Sequence, residues 1–293
     1  MAKSLEKDFL YHLGWSTDDD LKGTFGDLKF VCTGGSTTRM EKFAKYILGV
    51  LSASGLQLDL PTSVKNLCRS DRYVMYKVGP VLSINHGMGM PSTSIMLNEV
   101  IKLLRYAGCT DVVFIRLGTS GGVGVEPGTV VITEKAVNYE FKPVYQLPVL
   151  GQLKSWDATL STAVANEIKE QHDSKDGYDA VLGNTMGTDD FYEGQGRLDG
   201  ALCDYYTEQD KMDYLQSAHE SGVRNIEMEG NCLASMVSRA NFEAAIVCVA
   251  LLNRLHGDQV TTPKETLEAW EERPQQLVAR YIVKKLKERQ DNQ

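Results

Sequence analysis

The apolar run Ala244–Leu252 limits most sharply what this chain can fold into. It reads Ala-Ala-Ile-Val-Cys-Val-Ala-Leu-Leu and offers water nothing polar on either face. It is too short to cross a bilayer as a helix. As a strand it must be covered on both sides, which happens in the middle of a largely parallel sheet sandwiched by helices.

The rest of the chain supplies such elements in alternation, the pattern of an α/β layered fold. Leu28–Cys32 is a short apolar strand leading into Thr33-Gly34-Gly35. Met40–Leu51 follows with helical spacing, since Phe43, Tyr46, Ile47 and Val50 share one face. Arg72–Val78 and Pro80–His86 read as two strands joined at Gly79-Pro80. Ser92–Tyr106 is expected to be a helix with Ile95, Leu97, Ile101 and Leu104 turned largely inward, ending before Gly108. Asp111–Arg116 is a strand dense in apolar residues, and Thr129–Thr133 follows the turn Pro127-Gly128. Asp157–His172 and Asp210–Ser221 are amphipathic helices, and Val223–Glu227 is a strand. A closing helix near Glu265–Arg289 ends in Lys284, Lys285, Lys287 and Arg289, which suit the negative end of its dipole. Asn138–Trp156 reads as irregular, with nothing beside it to suggest a boundary. One domain over residues 1–293 is the expected count.

With 39 acidic against 31 basic residues the formal net charge is −8, which argues against binding nucleic acid or an anionic membrane. The first residues, Met-Ala-Lys-Ser-Leu-Glu-Lys-Asp, lack the apolar stretch of a signal peptide, so a cytoplasmic protein is expected. Cys32, Cys68, Cys109, Cys203, Cys232 and Cys248 are far apart and read as free thiols. His12, His86, His172, His219 and His256 show no metal-ligand spacing, and no metal is expected.

Several segments carry chemistry. Thr33-Gly34-Gly35-Ser36-Thr37-Thr38-Arg39 joins a strand to a helix, where free backbone N–H groups and a guanidinium suit a small anion. A capped turn explains the same residues equally well. Arg116-Leu117-Gly118-Thr119-Ser120-Gly121-Gly122 directly follows an apolar strand, and an arginine there is costly to bury without an anionic partner. Ligands gather beyond strand carboxyl ends in open α/β sheets. Asp190-Phe191-Tyr192-Glu193-Gly194-Gln195-Gly196-Arg197 combines an aromatic face with groups able to read an amide edge, although a polar loop has the same composition. In Asn225-Ile226-Glu227-Met228-Glu229-Gly230, Glu229 either accepts from sugar hydroxyls or caps the next helix. His86-Gly87-Met88-Gly89-Met90-Pro91-Ser92 reads as turn chemistry.

Together these motifs, with Arg72-Tyr73, Tyr76-Lys77-Val78-Gly79 and Glu126-Pro127-Gly128-Thr129, resemble the nucleoside phosphorylase superfamily, and the uridine phosphorylases most closely within it. The likeness extends from Tyr11-His12-Leu13-Gly14 to Glu272-Arg273-Pro274. It implies a mixed, strongly twisted sheet surrounded by helices, and a homo-oligomer, at least a dimer, with shared active sites. It implies reversible phosphorolysis of uridine to uracil and ribose 1-phosphate in pyrimidine salvage, with inorganic phosphate as co-substrate and no cofactor. It also implies a phosphate site of Gly35, Arg39, Arg116 and Thr119, joined by Arg72 from a neighbouring subunit. Met228 and Glu229 would hold ribose, with the neighbour's His12 near its 5′-hydroxyl, and Phe191, Gln195 and Arg197 would hold uracil. Arg197, Gln195 and Arg116 are the expected catalytic residues. Purine-specific relatives place an aspartate after the central strand, whereas Leu251-Leu252-Asn253-Arg254 has no acid. Gly230 stands where the resemblance leads one to expect serine.

Overall fold

The structure, a computed structural model, describes residues 7–291. A short ribbon of β1 (Phe9–Leu10) and β2 (Trp15–Ser16) precedes α1 (Leu21–Phe25). Then come β3 (Phe30–Gly34), α2 (Thr37–Ala53), β4 (Met75–Val78), β5 (Val81–Asn85) and α3 (Met90–Ala107). The middle of the chain forms β6 (Val113–Gly122), β7 (Val130–Val137), β8 (Val144–Val149), β9 (Gln152–Asp157), α4 (Thr162–Lys169) and β10 (Ala180–Gly187). It closes with α5 (Glu208–Glu220), β11 (Val223–Glu227), α6 (Gly230–Arg239), β12 (Glu243–Asn253) and α7 (Lys264–Asp291). Helix α2 starts where Ser36 caps the Arg39 N–H, and α3 stops at Gly108, whose φ of 79° ends it in the left-handed region.

Eight strands form one mixed sheet in the order β11-β10-β7-β12-β6-β3-β5-β4. Strands β5, β3, β6 and β12 run parallel, β4 is antiparallel to β5, and β7 is antiparallel to β12. The sheet then curls back on itself, because β11 also pairs antiparallel with β6 through Asn225–Gly122 and Ile226–Gly121. The apolar run does what its composition requires. Ile246 and Cys248 of β12 belong to a core shared with α1, α3 and α6, while Ala245 and Val247 belong to a second core shared with α2, α4 and α7.

Four expectations need correction, and the first is Ile95, which lies exposed on α3. Asn138–Trp156 is not irregular, since it contains the β8–β9 hairpin, which turns at Leu150-Gly151. The hairpin stands off the main sheet with Leu147, Leu150 and Leu153 exposed and Tyr145 alone buried, against Met90 and Cys232, which is too little to impose a readable alternation. The helix expected over Asp157–His172 shrinks to Thr162–Lys169, because Asp157 belongs to β9 and Ser161 supplies the cap. Arg116 does not end its strand. Strand β6 runs on to Gly122 between β3 and β12, which places Arg116 inside the sheet. Strand β10 has no clear signal in the sequence because Gly183-Asn184-Thr185 interrupts its apolar character, and Thr185 is satisfied instead by Thr133 and Asn225.

Candidate functional site

Because β3, β5, β6 and β12 are parallel, their carboxyl ends gather at one edge, the usual ligand position in such sheets. A cavity of about 520 Å³ lies there. Its lining includes Gly35 and Arg39 beyond β3, Arg116 and Thr119 from β6, Met228 and Glu229 beyond β11, and Phe191, Gln195 and Arg197 from the turn after β10. The chain thus brings together every expected site residue except two. His12 and Arg72 do not line the cavity, and the Arg72 side chain is 72% exposed, with Asp71 3.7 Å away.

At one end the charges are dense. Strand β11 crosses β6 in the opposite direction, so its carboxyl end comes back over Arg116. The Arg116 Nη2 lies 3.0 Å from Glu227 Oε2 and also donates to Glu229, while Nη1 donates to Cys248 Sγ at 2.8 Å. A Cβ on Gly118 would fall 2.0 Å from Arg116 Nη1, so only glycine there leaves the guanidinium its place. Glu227 also accepts the N–H groups of Glu229 and Gly230, at 2.9 and 2.7 Å, and Glu229 accepts that of Gly89 at 2.6 Å. Two carboxylates therefore share one buried cation. Burial and its neighbour push Glu227 upward, whereas Arg116 outweighs burial at Glu229 and holds it low. Arg39 is anchored separately, donating through Nε and Nη2 to Glu271 of α7 at 3.2 and 2.9 Å. His86 behind this end is fully buried, with neither ring nitrogen in hydrogen-bond geometry. Burial pushes it down to about 4, so it is neutral at physiological pH.

At the other end, the Arg197 guanidinium lies 4.1 Å over the Phe191 ring and donates to the Asp258 carbonyl at 2.8 Å. Gln195 is held by Arg254, which donates to its side-chain oxygen at 3.3 Å and its backbone carbonyl at 2.8 Å. Arg254 is itself fully buried and paired with Asp258 at 2.9 Å, and Asp258 also takes Lys211 at 2.8 Å. Lys211 and Arg254 hold the Asp258 carboxyl below its usual range despite burial. Arg254, Asp258, Lys211 and Glu227 are contributors that the sequence motifs did not single out as site residues. For Arg254 the signal existed, since an arginine just beyond an apolar strand is the same pattern that marked Arg116. The stretch Leu251–Arg254 indeed holds no acid, and the nearby Asp258 is already engaged by two cations.

The Gly230 departure also has a physical setting. A Cβ there would lie 2.7 Å from Glu227 Oε1 and 3.1 Å from Ile246 Cδ1. Glycine lets the helix N-terminus close directly on the Glu227 carboxylate. Among the described residues no group of three His, Cys, Asp or Glu side chains is placed to hold a metal. No described helix is long and apolar enough to cross a membrane.

Comparison with known proteins agrees with this architecture. The family model described as the phosphorylase superfamily matches residues 29–283. Uridine phosphorylase 1 of Mus musculus is 50% identical over 286 residues, covering 97% of this chain and 90% of that protein. Inactive uridine phosphorylase B of Schistosoma mansoni is 40% identical over 281 residues, covering 95% of this chain and 92% of that protein. The crystal structure of a uridine phosphorylase from Schistosoma mansoni in complex with thymidine superposes with a TM-score of 0.89 at 42% identity, covering 96% of this chain and 95% of that one. The chain belongs to the phosphorylase superfamily, and within it to the uridine phosphorylases.

Proposed function

We propose that this protein catalyses the reversible phosphorolysis of uridine to uracil and ribose 1-phosphate. One observation carries the reading: a single cavity joins an arginine-rich end at Arg39 and Arg116 to an amide-reading end at Gln195 and Arg197, with Met228 and Glu229 also on its wall. Phosphate binds at the first end, on Gly35, Arg39, Arg116 and Thr119. Ribose lies against Met228 and Glu229. Uracil packs on Phe191 with its polar edge toward Gln195 and Arg197. Arg116 then has an anion to exchange for part of its pairing with Glu229, which frees that carboxylate for ribose hydroxyls.

Phosphate attacks the anomeric carbon, the glycosidic bond breaks ahead of attack, and the sugar centre inverts. Positive charge on the sugar is balanced by phosphate. Negative charge on the departing uracil is stabilised by Arg197 and Gln195, donors fixed in place before the charge appears. No proton donor is required of Asp258, whose carboxylate is occupied by Arg254 and Lys211. The chemistry needs phosphate as co-substrate and no cofactor.

The exposure of Arg72, and its position with His12 outside their own cavity, support a homodimer in which each copy completes the other's site. We propose Arg72 as a third cation for phosphate and His12 as a contact to the ribose 5′-hydroxyl, both from the partner, with residues 1–293 acting as one cytoplasmic domain.

Uracil release from uridine, followed by ultraviolet absorbance with and without phosphate, tests this. Phosphate-dependent release is expected, with thymidine as a second nucleoside and inosine inert. Release without phosphate would mean hydrolysis. Release from none of them would overturn the enzyme reading in favour of a silent nucleoside-binding protein; one 40%-identical relative is named an inactive uridine phosphorylase.

A further inference from the structure

The segment carrying His12 is held by a carboxylate that the chemistry above leaves unused, and Ser70 ties that segment to the one carrying Arg72. Glu99 sits on α3 among mainly apolar inward residues and is 9% exposed. Its Oε2 accepts the backbone N–H groups of His12 and Leu13, each at 2.9 Å, and its Oε1 accepts the His12 N–H at 3.0 Å. The same Oε1 lies 2.6 Å from His12 Nδ1. The His12 carbonyl accepts the Ser70 hydroxyl, and Ser70 Oγ accepts the Arg72 N–H at 3.3 Å. A carboxylate at this depth is tolerated because several donors converge on it.

Two N–H bonds suffice to pin the backbone at residues 12 and 13. The bond to the ring adds a chemical constraint. An ionised carboxylate only accepts, so Nδ1 must carry the proton, and in the neutral imidazole Nε2 is left with a lone pair. The His12 side chain remains 31% exposed, at the surface rather than in its own cavity.

We infer, on the reading that His12 of one subunit reaches the ribose bound by its partner, that Glu99 is a positioning residue for the reaction. It fixes the tautomer and the ring orientation of His12, so that Nε2 meets the ribose 5′-hydroxyl as an acceptor.

The test compares kcat/KM for uridine and 5′-deoxyuridine at saturating phosphate in the full-length dimer. His12→Ala is expected to lose about tenfold on uridine, the scale of one hydrogen bond, and nothing on 5′-deoxyuridine. Glu99→Gln is expected to lose most of that factor on uridine and again nothing on 5′-deoxyuridine, with the double variant no worse than His12→Ala. Equal losses on both substrates in His12→Ala would remove His12 from the ribose and the inference with it. A selective His12→Ala beside an unselective or silent Glu99→Gln would sink the role of Glu99 alone. Should Glu99→Gln fail to fold, ¹⁵N NMR of the neutral His12 ring in the unmodified protein decides. A proton on Nδ1 supports the inference, and a proton on Nε2 overturns it.

Discussion

Arg116 shows how one residue's surroundings set both stability and chemistry. It is a cation inside a sheet, matched by two carboxylates from a strand crossing the other way. Such an arrangement tolerates little added volume. Gly118→Ala, whose methyl would fall on Arg116 Nη1, is expected to raise the phosphate KM about tenfold and to cost about 1–3 kcal/mol of stability. Phosphate titrations and urea unfolding measure the two effects. Arg197→Ala is expected to lower kcat by roughly 10²–10³, the usual cost of one preorganised donor to a developing anion. Near-normal turnover would remove Arg197 from the chemistry. His86 makes a pH prediction. Its folded value is depressed to about 4, so below the ordinary histidine value the unfolded chain takes up a proton that the folded chain refuses. That group therefore removes stability as pH falls, about 2 kcal/mol between about pH 7 and about pH 5. Urea midpoints across that range should fall less steeply in His86→Gln than in the unmodified protein.

At the scale of elements, the turn after β10 closes on itself through Asp190 and Tyr192 but takes its position from outside. It is short, exposed at Phe191, and locked from outside by the segment following β12 through Arg254 and Asp258. Asp258→Asn weakens the partnership of Arg254 and Lys211 together, which leaves buried cations undercompensated. The expected result is a tenfold or larger loss of kcat/KM for uridine, about 1.4 kcal/mol or more, while the phosphate KM is little changed. Steady-state kinetics with each substrate varied separately checks the split, and equal effects on both would mean that the network supports the whole cavity.

For the whole molecule, the governing question is whether one chain makes one complete site. Arg39 lies in the cavity and Arg72 does not. Subunits bearing Arg39→Ala alone, or Arg72→Ala alone, are expected to be nearly inactive. Hybrid dimers of the two are expected to recover activity at one of their two sites, up to about half of normal per hybrid. Co-expression with two affinity tags, followed by uracil release, measures this, and inactivity in verified hybrids would mean that each site is built from a single chain.

What the sequence determined by itself was local: the alternation of strands and helices, the glycine junctions after β3 and β5, and the Phe191–Arg197 motif. Short-range periodicity and backbone chemistry act over a few residues, so a single chain can be read for them. The motif resemblance supplied the sheet type and the expected site. Only the tertiary structure decided that Arg116 lies within the sheet, that β11 returns to β6, and that Glu229 meets Arg116 across 113 residues of chain. It also decided the Arg254–Gln195 lock, 59 residues apart, and the Glu99–His12 pair, 87 apart. These contacts depend on strand order and closure of the sheet, which bring distant residues together through packing of the whole core, and no local pattern records that.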